Sequence, residues 1–251
     1  MLEFVRIQKA FPLYVRRVAL PGTGARLRAV HLSDLHLEDG FSEGWLRRLV
    51  ARVNAAEPDI VCFTGDFTCR KAEFETASRA CAILRRIEAP VLAVEGNHDF
   101  LGGAAGKAAD LMWESGFVVL ENSALTLDIQ NSRVQVLGLR SLYRGDDAFE
   151  HLPLPDAQAL RICLAHEPGW ANRLPAGYAD AILSGHTHGG QLAAGGAEKF
   201  WMPKYWDGFS RGVYETDAGA LVVSAGLGES GPRMRLSMPR EFGVLTWGSD
   251  E

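Results

Sequence analysis

Short apolar runs and longer stretches of helical period alternate through the first half of the chain. A run over 27–30 reads as a strand. The segment 42–56 then sets Trp45, Leu46, Leu49, Val50 and Val53 at the spacing of a helix packed on a sheet, and Pro58 ends it. A second strand follows over 59–63 and a second helix over 71–88, with Phe74, Ala77, Cys81 and Leu84 on one face. A third strand over 91–94 leads, after a glycine-rich stretch, to a helix through Leu111, Met112 and Trp113. Strand, polar loop and helix repeated in this order predict an α/β protein whose functional groups lie beyond the carboxyl ends of its strands.

After Gly116 the rhythm changes. Runs over 117–120, 124–129 and 134–139 are short strands joined by Asn-Ser turns, with no helix between them, so a second, partly antiparallel sheet is expected to start there. Residues 140–157, with Pro153 and Pro155, read as a loop. A strand over 160–165, a short helix near 170–174 and a buried strand over 181–183 follow, then an aromatic loop over 200–209. Runs over 213–214, 221–223 and 243–246 complete the sheet. Neither a linker nor an internal repeat interrupts the pattern, which predicts one domain over residues 1–251.

Composition narrows the class. With 47% hydrophobic and 23% charged residues the chain can bury a substantial core, and its net charge of -5 offers no broad basic field, so extended nucleic-acid binding is not expected. Cys62, Cys69, Cys81 and Cys163 show no C-x-x-C spacing, and Cys62 and Cys163 fall inside apolar runs; both features point to reduced cysteines in a cytoplasmic protein. No apolar run approaches the roughly 18–20 residues that span a bilayer, and the N-terminus lacks a signal pattern. The first segment interleaves Arg6, Lys9, Arg16, Arg17, Arg26 and Arg28 with Phe4, Ile7, Phe11, Leu13 and Tyr14 against one acid, Glu3. It reads first as an edge strand with a solvated face and second as a patch for peripheral contact with the inner face of a membrane.

The chemistry gathers at the strand ends. In the stretch over 181–191 a buried run empties into Gly185, then His186 and His188, two residues apart, which in extended backbone would project from one side toward a shared divalent ion. The other strands deliver Asp34 and His36, then Asp66, then Asn97, His98 and Asp99, then His166. Five of the seven histidines stand in this set, each after an apolar strand. A carboxylate, imidazole and amide set of this size exceeds one tetrahedral zinc and suits two ions bridged by a carboxylate. There is no H-x-H-x-D-H run, no G-x-S-x-G elbow and no P-loop.

D-L-H at 34–36, G-D at 65–66, G-N-H-D at 96–99, His166 and G-H-T-H at 185–188 resemble the five ordered motifs of the calcineurin-like metallophosphoesterases. The stretches at 189–191 and 226–235 are similar to the bacterial branch of YkuE- and YaeI-type phosphodiesterases and a UDP-2,3-diacylglucosamine pyrophosphatase of lipid A synthesis. This resemblance implies a four-layer α/β/β/α sandwich of two mixed sheets flanked by helices. It implies one ion held by Asp34, His36, Asp66 and His188 and another by Asp66, Asn97, His166 and His186, with Asp66 the bridge. A hydroxide between ions roughly 3.5–4 Å apart would attack phosphorus in line. His98 would protonate the leaving oxygen and Asp99 would orient its ring. Nitrogen and oxygen ligands without sulfur suit manganese first, with iron, zinc or magnesium as alternatives.

The implied activity is hydrolysis of a phosphodiester or pyrophosphate in a small-molecule or lipid-linked substrate. A single-strand nuclease and a non-catalytic protein-binding scaffold on the same fold are the rivals. The chain departs from the branch at Cys69, where many relatives carry a carboxylate, and at Ala225, where the branch often has arginine. Arg233 and Arg235 could replace that phosphate contact or be solvated loop charges. Phe200, Trp201, Tyr205, Trp206 and Phe209 read first as a cap on the core and second as a pocket wall.

Overall fold

The computed structural model describes residues 13–21, 24–38, 41–69, 74–101, 107–192, 202–231, 234–236 and 238–248. Its described strands are β1 (Tyr14–Leu20), β2 (Leu27–Leu32), β3 (Ile60–Thr64), β4 (Val91–Val94), β5 (Phe117–Val119), β6 (Ser123–Ile129), β7 (Ser132–Gly138), β8 (Leu160–Leu164), β9 (Ala181–Ser184), β10 (Gly212–Thr216), β11 (Gly219–Val223) and β12 (Glu241–Trp247). The helices are α1 (Glu43–Asn54), α2 (Phe74–Leu84), α3 (Asn97–Leu101) and α4 (Ala108–Glu114). Two mixed sheets result, in the orders β1-β12-β2-β3-β4-β5 and β10-β11-β9-β8-β7-β6.

Three apolar layers hold them. Leu46, Leu49, Val50 and Val53 of α1 pack with α2 and α4 on the outer face of the first sheet. The Ser42 hydroxyl caps α1 by accepting from Trp45 N at 3.2 Å, a bond worth about 1 kcal/mol. Between the sheets, Ala29, Ile60, Cys62 and Leu92 meet Val136, Ile162, Leu183 and Val222. The outer face of the second sheet is covered by Trp170, Tyr178, Leu142 and Ala148, carried by loops and by the 3-10 segments Leu142–Phe149 and Pro168–Asn172. The fourth layer is therefore made of 3-10 turns, and residues 140–157 are more ordered than a bare loop.

Two sheet assignments expected from the sequence are corrected. The strand after Gly116 does not open the second sheet: β5 pairs in parallel with β4 and ends the first, and the second begins at β6. The last strand, β12, leaves the second sheet and inserts between β1 and β2 of the first. Hydrophobic alternation records that a segment is half-buried, not which edge it joins. β1 is the expected edge strand, yet Arg16 reaches Glu241 at 3.5 Å. Residues 1–12 of that basic segment and the side chain of Phe74 lie outside the described residues. Among the described residues no helix is long and apolar enough to cross a membrane.

His31 on β2 is 1% exposed and meets Thr64 Oγ1 at 2.9 Å. Burial lowers its pKa from 6.5 to about 4, with Glu241 pulling the other way. A depressed histidine stabilises the fold above its unfolded value, and that contribution is lost as pH falls from 6.5 through about 4. At about 1.36 kcal/mol per pKa unit the loss is on the order of 3 kcal/mol. Urea unfolding at about pH 7.5 and about pH 5, in excess chelator, should show a steeper loss for the wild type than for His31→Gln. Equal slopes would remove His31 from the pH response.

Candidate metal centre

The parallel registers Leu32↔Phe63, Phe63↔Ala93, Leu164↔Leu183 and Ser184↔Val223 bring the carboxyl ends of six strands, three from each sheet, to one rim. Asp34, Asp66, Asn97, His166, His186 and His188 follow those ends directly. The loops after β2 and β3 are laced together, Asp34 N donating to Gly65 O and His36 N to Asp66 O, both at 2.9 Å. Gly96 and Gly185 are required at this rim, because a Cβ on Gly96 would strike Asp66 and one on Gly185 would strike Ser33 and Asp34.

The backbone at the candidate ligands is unusual. Asp34, His36, Asp66, His186 and His188 have φ of 52°, 45°, 55°, 69° and 51°, the left-handed region that non-glycine residues seldom occupy. Such strain concentrates at functional sites, where the surrounding structure enforces it. It also corrects the extended reading of His186 and His188. Their rings do not share one target: the ligand atoms form two buried groups, Asp34 with His36 and His188, and Asp66 with His166 and His186.

Asp66 links the groups. Its Oδ2 lies 3.3 Å from His36 Nε2 and 3.3 Å from His166 Nε2. Within the first group His36 Nε2 is 3.0 Å from His188 Nε2, and His188 Nε2 is 3.5 Å from Asp34 Oδ1. Within the second, His186 Nδ1 is 3.2 Å from His166 Nε2, which is also 3.2 Å from Asn97 Oδ1. Partners set the ring orientations. Thr64 O can only accept, at 2.7 Å, so His166 Nδ1 carries a proton; Lys204 O accepts from His186 Nε2 at 2.8 Å. The inner nitrogens thus face each other, and positive charge between them must come from a proton or a metal ion. Asp34 ties the two halves by accepting from His186 N at 3.0 and 3.1 Å.

Charge follows this geometry. Burial opposes ionisation of Asp66, but the charge and hydrogen bond of His166 hold its carboxyl well below the usual range. Burial likewise opposes protonation of His166, and Asp66 overrides it, lifting the imidazole well above its ordinary value. Burial pushes Asp34 up to about 6 against the pull of His166, with Asp66 adding to the rise. His36 and His186 are lowered to about 3 by burial first, and His188 is lowered by burial, then His36 and Arg235. His36, His186 and His188, kept neutral beside the ionised Asp66 carboxylate, are donors of the kind that divalent ions take.

The model of the calcineurin-like phosphoesterase family matches residues 27–190. The chain belongs to that family. YkuE of Bacillus subtilis (strain 168), an uncharacterized metallophosphoesterase, is 30% identical to it over 223 residues, 87% of this chain and 78% of that protein. An uncharacterized metallophosphoesterase of Aquifex aeolicus (strain VF5) is 28% identical over 97% of this chain and 92% of its own length. The UDP-2,3-diacylglucosamine pyrophosphatase LpxG of Chlamydia trachomatis is 24% identical over 66% of this chain and 65% of its own length. Among solved structures, TT1561 of Thermus thermophilus shares the fold, with a TM-score of 0.50 at 11% identity over 80% of this chain and 90% of that one. This phosphoesterase is a metal-dependent phosphoric ester hydrolase with a divalent metal centre, which the two buried aspartate and histidine groups could hold.

Above the centre the phosphoesterase opens a cavity of about 300 Å³ lined by Asp66, Asn97, His98, Tyr143, His186 and His188, with Gln191 and Ser230 at its wall. His98 is half-buried there, its ring 4.9 Å from that of His36 and its Nε2 3.5 Å from Ser230 Oγ. Asp99 has a different place from the one expected. Its Oδ1 accepts from Phe67 N at 2.9 Å and Thr68 N at 3.1 Å, and its Oδ2 accepts from Gly96 N at 2.8 Å, so it clamps the loops bearing Asp66 and Asn97. Burial lifts its carboxyl to about 8, with Asp66 adding to the rise and the Gly96 and Thr68 amides opposing it.

Arg235 is corrected on both counts. It is neither solvated nor open to substrate, being 1% exposed and bonded to Ala225 O at 2.8 Å and His188 Nδ1 at 3.2 Å. Arg233, Phe200 and Trp201 lie outside the described residues, while Tyr205 and Phe209 pack on the second sheet's outer core. Tyr143 escaped the sequence reading because its loop carries no periodic signal. Its ring stands 5.6 Å from His186 and 5.2 Å from Tyr205. Glu167 had a signal in its position next to His166: its buried carboxylate accepts from Ser141 Oγ at 2.5 Å and Leu142 N at 2.9 Å and so fixes the Tyr143 loop.

Proposed function

We propose that the chain is a single-domain, binuclear phosphoesterase that cuts a phosphodiester or pyrophosphate bond. The observation that carries this reading is Asp66 Oδ2 at 3.3 Å from a histidine of each group, beneath a cavity whose described lining contains no lysine or arginine. Asp34, His36, Asp66 and His188 would hold one ion, and Asp66, Asn97, His166 and His186 the other, manganese being the first candidate for this mixed nitrogen and oxygen set. When bound, two such ions lower the pKa of water and neutralise charge developing on phosphoryl oxygens. The protein's own part is to hold the His166 and His186 rings by outward hydrogen bonds, to bury the carboxylates, and to place His98 at the cavity wall, from which it donates a proton to the leaving oxygen. Asp99 supports this by fixing the backbone on either side.

A monoester carries an extra negative charge that calls for further cations, whereas a diester needs room for a second substituent. Among the described residues, the cavity lining offers the room without the cations. The name of the LpxG relative supports a lipid-linked nucleotide as one such substrate. Four free cysteines support a cytoplasmic protein, and the basic residues of the N-terminal segment support peripheral contact with the inner membrane face.

With manganese present, bis-nitrophenyl phosphate should be cut faster than nitrophenyl phosphate. A preference for the monoester would refute the charge argument. Indifference to UDP-diacylglucosamine would remove the lipid substrate alone, degradation of single-stranded DNA would favour the nuclease, and inertness to all four would favour a binding scaffold.

A further inference from the structure

We propose that Tyr143 is a specificity-determining residue: its hydroxyl holds the substituent that stays on phosphorus and selects one rich in acceptor oxygens, a sugar or nucleoside, over a bare alkyl group. This rests on the diester reading above and deepens it by naming the class of the retained substituent.

The turn that carries Tyr143 is held rigidly. Glu167, 0% exposed and next to His166, accepts from Ser141 Oγ and Leu142 N, and Ser141 Oγ accepts in turn from Tyr143 N at 3.3 Å. Trp170 Nε1 donates to Arg140 O at 3.0 Å on one flank, and Arg144 reaches Glu95 at 2.9 Å on the other. A carboxylate is costly to bury unless hydrogen bonds satisfy it, and here those bonds fix a turn from which Tyr143 enters the cavity lining.

Lys204 sets the height of the hydroxyl. Its carbonyl oxygen lies 2.8 Å from His186 Nε2, and its amide N–H donates to the Tyr143 hydroxyl oxygen. The phenol therefore stands by the outer nitrogen of His186, an imidazole's width from the inner nitrogen that faces His166, and too far out to meet an oxygen held between the two ligand groups. The leaving oxygen departs beside the other group, where His98 stands 4.9 Å from His36 and its Nε2 lies 3.5 Å from Ser230 Oγ. Tyr143 is left beside the substituent that remains.

A phenol that accepts from an amide still has its own proton to donate. Among the described residues no protein oxygen takes that proton. Other neutral groups of the lining are engaged: Thr187 Oγ1 donates to Ser210 O, and the Gln191 amide exchanges bonds of 3.0 and 2.9 Å with the Ser230 backbone. The Lys204 ammonium lies over the Tyr205 ring, 4.3 Å from its centroid. A half-buried donor covered by an alkyl group would lose its water without gaining an acceptor, whereas a sugar oxygen supplies one.

The test compares two diesters that share a nitrophenyl leaving group, the nitrophenyl ester of thymidine monophosphate and hexyl nitrophenyl phosphate, with nitrophenyl phosphate as the monoester and manganese present. The wild type should favour the thymidine over the hexyl diester in kcat/KM by about two- to tenfold, the scale of one neutral hydrogen bond. Tyr143→Phe keeps the ring that meets His186 and Tyr205, and it should bring the thymidine diester down to the hexyl level through KM, at unchanged metal content. The ratio of two substrates on one preparation is independent of the folded fraction. An equal loss on both diesters would make the turn merely structural and overturn the inference, as would a wild type indifferent to the retained substituent; both results leave the diester reading standing. A wild type that cuts the monoester fastest would end that reading and this inference with it.

Discussion

Asp66→Asn should lose both ions and lower turnover by more than about 10³-fold, the largest effect expected of any single substitution here. Oδ2 is shared between the two groups, so the charge it supplies is felt at both positions, whereas His36 borders only one. Two divalent ions contribute several kcal/mol to stabilising the transition state, and each 1.36 kcal/mol or so is a factor of ten in rate. The carboxamide keeps the shape and one oxygen but not the charge. It also removes the partner that keeps His166 protonated in the ion-free protein, so an imidazole pair without its counter-charge remains. Metal per protein, measured by mass spectrometry, separates the variants: about none for Asp66→Asn and about one for His36→Ala. Equal loss of a single ion in both would mean that Asp66 serves one position only.

His98→Ala should keep its metal content and lose about 10²- to 10⁴-fold in turnover on an alkyl ester, the usual range for a general acid. The ring lines the cavity, while its backbone N–H donates to Asp66 Oδ1 at 2.9 Å, a bond the alanine variant retains. With a nitrophenyl leaving group, already weakly basic, the loss should shrink, because less help is needed to expel it. Comparing the two esters on the same preparation makes the measurement independent of folding and metal loading. An identical loss on both would assign His98 to binding the phosphoryl group and not to protonating the leaving oxygen.

Asp34, His36, Asp66, Asn97, His166, His186 and His188 were legible as candidate ligands because each follows an apolar run, and a strand end is a local property of the chain. The α/β order, the helix over α1 and the reduced, buried Cys62 and Cys163 were legible for the same reason: periodicity and burial are written residue by residue. What the sequence could not carry is anything that depends on a partner far along the chain. Whether β5 and β12 join the first or the second sheet rests on edges formed by residues up to a whole domain away. The left-handed turns at His186 and His188 send the rings into different groups, and that bend is imposed by Asp34 accepting from His186 N across the two sheets. Asp99 and Arg235 show the same limit. Each is a charged residue in a polar loop by sequence, and only packing reveals that one clamps backbone amides while the other, buried and held by carbonyl oxygens, faces the outer nitrogen of His188. Residue type and spacing determined which groups could hold metal; the directions of hydrogen bonds between distant segments, which only the tertiary structure decides, determine how those groups are held.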